Sequence, residues 1–121
     1  MSDVRIKRAY RAARASDGAR VLVDRVWPRG VAKDRLRLTD WMKDVAPSDE
    51  LRRWFGHDPQ KCEAFREAYF DEMADKEDAV SRLLDLAAEG DLTLIYGAKD
   101  ETHHNAAALK VYLERQARRP I

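Results

Sequence analysis

The apolar positions change their period along the chain, and each change marks an element. Val4, Ile6 and the Ala9-Tyr10 pair alternate among basic residues, which predicts a short edge strand with charges on its open side. Ser16-Asp17-Gly18 signals a turn. The following Arg20-Val-Leu-Val-Asp-Arg-Val-Trp27 is β-branched and almost continuously apolar, the pattern of a central strand covered on both faces, and Pro28 and Gly30 stop it. Asp91-Leu-Thr-Leu-Ile-Tyr-Gly97 repeats that pattern as a second buried strand.

Between and after these runs the spacing becomes helical. Leu36, Leu38, Trp41, Met42 and Val45 fall roughly on one face of a short helix starting near Leu38-Thr39 or Thr39-Asp40, ended by Pro47. Ser48-Asp-Glu-Leu51 has the form of a capped helix start with acids in its first turn, and Leu51, Trp54 and Phe55 form its apolar face up to Gly56. His57-Asp58-Pro59 leads into a helix with Cys62, Phe65, Ala68, Tyr69 and Met73 at three- and four-residue steps. Lys76 bends the chain into another, with Val80, Leu83, Leu84, Leu86 and Ala87 inward and Gly90 at its end. A last helix is expected from about Thr102 through Ala106, Leu109, Val111, Tyr112 and Leu113.

Strands that alternate with helices imply an α/β fold. The expected architecture is a single small domain over residues 1–121, its tail after about 115 loose. It has a short mixed or parallel three-to-four-stranded sheet, the first strand flanking, with about five helices around it.

Composition narrows the function classes. Lys and Arg number 23 against 22 Asp and Glu, a net charge of +1, where a general nucleic-acid binder would carry a clear basic excess. The basic residues Arg5, Lys7, Arg8, Arg11 and Arg14, and Arg115, Arg118 and Arg119 at the other end, read as solvated edges and tails. A single cysteine, Cys62, excludes an internal disulfide and a thiolate-rich metal site, and points to the cytoplasm. Placed mid-helix on an apolar face, it reads as a packing residue. No secretory signal is visible at the N-terminus, and no apolar run approaches the roughly 18 residues of a membrane helix. The expectation is a soluble cytoplasmic protein, monomer or homodimer.

Chemistry is expected beyond the carboxyl ends of the two buried strands, where ligands collect in open α/β sheets. The first end offers Asp24, Arg25, Trp27, Arg29 and Gly30; the second offers Tyr96, Gly97, Lys99, Asp100, Glu101, His103, His104 and Asn105. Small residues and a nascent helix at the second end favour an anion, although neither a Walker loop nor a dinucleotide fingerprint is present. The competing reading has Asp100 or Thr102 as a helix cap, Lys99 solvated and Arg25 paired with an acid. His103 and His104, about 100° apart on a helix, do not easily share one metal. Asp100 with His104 and His57 is a conceivable ligand set without a recognised spacing, so no metal site is expected. The serines lack a nucleophile-elbow context. Trp41, Trp54 and Phe55 read as core, whereas Trp27 either closes a pocket or stacks on a planar ligand.

Taken together, Val-Leu-Val-Asp-Arg-Val-Trp-Pro-Arg-Gly30, Trp-Met-Lys-Asp-Val-Ala-Pro-Ser48, Leu-Arg-Arg-Trp-Phe55 and Leu-Thr-Leu-Ile-Tyr-Gly-Ala-Lys-Asp-Glu101 resemble the YeaO-like branch of a bacterial domain-of-unknown-function family. The resemblance runs from about Ile6 to Leu113 and implies a small intracellular α/β protein. Its hallmarks would be Asp24, Arg25, Trp27, Pro28, Arg29, Gly30, Lys99 and Asp100, with 103–105 a more variable stretch. The family is biochemically uncharacterised, and the resemblance leaves cofactor and reaction unknown.

The leading expectation is a protein that binds an anionic small molecule: a phosphate, nucleotide or carboxylate. Arg25, Arg29 and Lys99 would hold the anion, with Trp27, Gly30, Tyr96 and Asn105 lining the site. Asp24 or Asp100 would orient the arginines or act as base, and His103 or His104 would carry a proton in any hydrolase or transferase step. The alternative is a non-catalytic binding or interaction module in which the Asp-Arg-Val-Trp-Pro-Arg-Gly cluster is structural.

Overall fold

The two apolar runs lie side by side at the centre of one sheet. The computed structural model describes residues 4–56, 58–98 and 105–117. Within them, strands β1 (Val4–Arg8), β2 (Ala19–Leu22), β3 (Asp40–Trp41) and β4 (Leu92–Tyr96) stand in the order β1-β4-β2-β3, every pairing parallel. Helices α1 (Lys33–Leu36), α2 (Asp49–Phe55), α3 (Cys62–Ala74), α4 (Glu77–Glu89) and α5 (Asn105–Ala117) complete the α/β domain. All five residues of β4 are buried, as a strand with a neighbour on each edge requires. β1 takes the expected flanking place.

Alternation splits the sheet's side chains between two cores. Val21, Val23, Leu92, Leu94 and Tyr96 face the larger one, with Phe65, Tyr69, Leu83, Leu109 and Leu113 from the helices. Leu22 and Ile95 face a smaller one with Ala9 and Leu36, against which Trp27 and Trp41 pack.

The same smaller-core face carries a charged network. Asp17, Arg20 and Thr93 are all buried. Asp17 accepts from Lys7 Nζ at 2.8 Å, from the Arg14 N–H at 3.0 Å and from Arg20 Nη1, while Arg20 Nε donates to the Leu36 carbonyl at 2.8 Å. Lys7 is therefore no solvated edge charge but half of a part-buried ion pair. Arg115 likewise lies over the Phe70 ring at 5.3 Å.

Three local expectations are corrected. β2 ends at Leu22 rather than Trp27: Val23 still donates to the Ile95 carbonyl at 3.1 Å, but the next N–H on β4's side, that of Gly97, goes to the Asp24 side chain. The segment from Leu36 to Val45 is not one helix: only a single 3-10 turn, Lys43–Val45, lies at its end. α1 stops at Leu36, Arg37 turns with φ 47°, and the chain then bonds the open edge of β2, Thr39 N–H to the Arg20 carbonyl at 2.7 Å and Met42 N–H to the Leu22 carbonyl at 2.9 Å. That edge would otherwise leave backbone groups unpaired. Finally, Cys62 is the first residue of α3 rather than mid-helix, and it packs partly buried against the larger core.

Trp54, expected in the core, is instead 46% exposed on α2, while the end signals of that helix hold. Ser48 caps α2, its Oγ accepting from the Leu51 N–H at 3.1 Å, and Gly56 closes it in the left-handed region at φ 53°. Among the described residues no helix is long and apolar enough to cross a membrane.

Candidate functional site

At the carboxyl ends of β2 and β4 the Asp24 side chain joins both strands to α5. Its Oδ2 accepts the Gly97 N–H at 2.8 Å, and its Oδ1 accepts Asn105 Nδ2 at 3.3 Å. Asn105, the first residue of α5, also donates to the Val23 carbonyl at 3.1 Å. A Cβ at Gly97 would stand 3.4 Å from Asp24 Oδ2 and 4.0 Å from Pro28 Cβ, ordinary contact distances, so the tie leaves just enough room for a side chain there. Burial raises the Asp24 carboxyl above its usual range, against the two hydrogen bonds, which favour the ion.

A cleft of about 210 Å³ opens beside this tie. It is lined by Asp24, Arg25, Val26 and Asn105 from the strand ends and helix start, by Ala98, by Ala46 and Pro47, and by Arg52, Phe55 and Phe65. At its edge Arg25 Nη1 and Arg52 Nη2 meet the same oxygen of Asp49, at 3.0 and 3.4 Å. All three are about half exposed. Two guanidiniums thus share one carboxylate.

The opposite wall is held from α3. The Tyr69 hydroxyl donates to the Val45 carbonyl at 2.6 Å, and burial first, then the nearby Glu72 and Asp24 carboxylates, push its ionisation upward. Glu72 accepts from both the N–H and the hydroxyl of Ser48. These contacts fix the Val45–Ser48 turn, and with it Ala46 and Pro47. Phe55 and Phe65 stack with centroids 4.3 Å apart beneath.

The signature divides in two. Asp24, Trp27, Pro28 and Gly30 build structure: Trp27 Nε1 donates to the Val31 carbonyl at 2.7 Å, Val31 N–H closes the turn on the Pro28 carbonyl, Pro28 is buried, and Gly30 occupies φ 78°. Trp41 Nε1 adds a 2.7 Å bond to the Asp24 carbonyl and meets Trp27 edge-on at 5.3 Å. Arg25, Val26 and Arg29 face solvent.

Of the residues expected at a site, the structure brings Asp24, Arg25 and Asn105 to one cleft. Arg29 and Gly30 stand on the exposed turn, outside its lining. Trp27 lies with Trp41 in a different, apolar depression, and Tyr96 is a buried core residue. His57, Lys99, Asp100, Glu101, His103 and His104 lie outside the described residues. Sequence reasoning missed Asp49, which was legible only as a first-turn acid. It also missed Arg52, one turn of α2 later, and the part that Phe55 and Phe65, read as core, play in the cleft wall. Among the described residues no group of three or more His, Cys, Asp or Glu could hold a metal ion.

No solved structure matches the chain. The uncharacterized protein YeaO of Escherichia coli K12 is 43% identical over 111 residues, covering 92% of this chain and 96% of that protein. The uncharacterized protein Rv3073c of Mycobacterium tuberculosis H37Rv is 40% identical over 106 residues, covering 88% and 89%. A family model described as the inactive DUF488-N3 subclade matches residues 3–120. With the signature, the fold and these relatives in agreement over nearly its whole length, the chain belongs to that subclade, the YeaO-like branch of the DUF488 family.

Proposed function

We propose that this protein is a non-catalytic cytoplasmic module that binds a small anionic molecule in the cleft between the ends of β2 and β4 and the start of α2. The observation that carries the reading is the pair of guanidiniums, Arg25 and Arg52, on one Asp49 oxygen at the cleft edge. One cation there is left over for an incoming anion, and an arginine fork is well shaped to receive it.

Absence of catalysis is supported by how the polar groups are used. Both Asp24 oxygens accept internal donors, and the Tyr69 hydroxyl is bound to a carbonyl. The description of the subclade as inactive points the same way. The single cysteine and the bacterial relatives support the compartment. A panel of phosphates, nucleotides and carboxylates, read by melting temperature, tests binding. At least one ligand should raise the melting temperature, and Arg25→Ala should remove the rise. No rise from any compound, or the same rise in the variant, overturns the reading.

One observation favours a catalytic second reading, the raised proton affinity of Asp24. Under it Asp24 is the base of a hydrolase or transferase step and His103 or His104 carries the proton. Turnover abolished by Asp24→Asn with binding intact would establish it over the first.

A further inference from the structure

The shape and charge of the cleft constrain its occupant further. On the reading just given, we propose that the ligand is a small monocarboxylate with an apolar body about one ring in size, rather than a phosphate or a nucleotide.

Charge is the first constraint. Among the described residues, the surplus positive charge of Arg25 and Arg52 over Asp49 at the edge is balanced within the cleft by Asp24, so these four side chains sum formally to zero. A phosphate dianion would bring two charges into a site with no net surplus, close to the partly buried Asp24. A carboxylate brings one. It can share the guanidinium forks with Asp49 at the half-exposed mouth, where solvent screens the repulsion between the two carboxylates.

The wall is the second constraint. Phe55 and Phe65 form a stacked pair, and each is fixed in the core, 4% and 3% exposed, while still reaching the cleft. Val26, also in the lining, is 64% exposed, a large apolar group with little of its surface covered. An apolar ligand body in the cleft would cover Val26 and the narrow ring edges that the two phenylalanines still present. Inorganic phosphate has no such body.

Size is the third. The cleft measures about 210 Å³, and an apolar cavity of about 150 Å³ is enough for benzene. One ring bearing a carboxylate therefore fits. A base, a sugar and a phosphate together exceed that volume, so part of a nucleotide would stand outside the cleft in solvent.

Benzoate, inorganic phosphate and AMP, each titrated into the full chain and followed by backbone amide NMR, decide the matter. Benzoate should move the Ala98 and Asn105 signals in a saturable way, and phosphate and AMP should leave them in place. Two exposed-site variants should keep the unbound spectrum: Arg52→Ala should weaken benzoate about tenfold, the loss of one charge-assisted contact, and Val26→Asp should weaken it by a similar factor through repulsion. Preferred binding of phosphate or AMP, sensitive to Arg25→Ala, overturns the monocarboxylate assignment while the anion-binding reading stands. Benzoate binding indifferent to Arg52→Ala overturns the assignment as mere apolar association. If none of the three moves a signal, both fall.

Discussion

The backbone N–H of Gly97 donates to Asp24 Oδ2 at 2.8 Å, joining the end of β4 to the end of β2 across 73 positions of sequence. The side chain here replaces the main-chain bond that the sheet would otherwise have made, and Asn105 fastens α5 to the same group. Asp24→Ala leaves the Gly97 donor facing an empty site. It should lower unfolding stability by about 1–3 kcal/mol, read from the urea midpoint, and speed hydrogen exchange at Gly97. Asp24→Asn should lose less, because an amide oxygen still accepts from Gly97.

The same group predicts a pH dependence. Burial gives Asp24 a higher proton affinity in the folded chain than in the unfolded one, above the ordinary 3.8. Its contribution to stability is therefore fully present below pH 3.8 and lost as pH rises through the raised folded value. Relative to Asp24→Asn, wild type should gain stability as the pH is lowered from neutral toward 3.8. Urea unfolding at a series of pH values measures the gap, and a gap that does not change with pH contradicts the assignment.

Asp17 should behave in the opposite sense. Burial works against its ionisation, but hydrogen bonds from Lys7, the Arg14 N–H and Arg20 prevail and hold its carboxyl below 3.8. The stability it contributes is present above pH 3.8 and lost as pH falls through the lowered folded value. Asp17→Ala strips the buried Arg20 of its carboxylate and should cost about 3 kcal/mol at neutral pH. It should also flatten the acid limb of the stability curve below 3.8.

Physical locality explains which of these features could be read in advance. β2 and β4 are legible because burial on both faces writes a continuous apolar run, and α2 and α4 because Ser48, Gly56 and Gly90 mark their ends. β3 is two residues long and exists through the edge of β2, so its own spacing, shared with a helix face, misleads. The Lys7–Asp17–Arg20 network looks like solvated charge because its burial comes from the chain folding back over the sheet between β1 and β2. Arg20 at the head of an apolar strand, on the same face as Leu22, was the available clue. At the site, Asp24, Arg25 and Asn105 converge as the strand-end rule expects. Asp49 and Arg52 arrive from a helix whose placement no local pattern encodes.

Two glycines separate backbone conformation from close contact. Gly18 and Gly30 both sit at positive φ, 67° and 78°. A Cβ at Gly30 meets nothing within 4 Å, whereas one at Gly18 would lie 2.1 Å from the Asp91 carbonyl oxygen. That oxygen also accepts the Ala19 N–H at 2.9 Å, beside the first β2–β4 register pair, so it cannot withdraw without opening the sheet. Gly30→Ala should therefore cost about 1–2 kcal/mol, the left-handed penalty alone. Gly18→Ala adds a backbone collision to a positive-φ conformation, ψ −136°, that is still less open to a side chain, and should exceed about 4 kcal/mol, which for a domain of marginal stability means loss of most folded protein. Thermal unfolding of the two variants side by side checks the order, and equal losses would show that the Gly18 contact relaxes without cost.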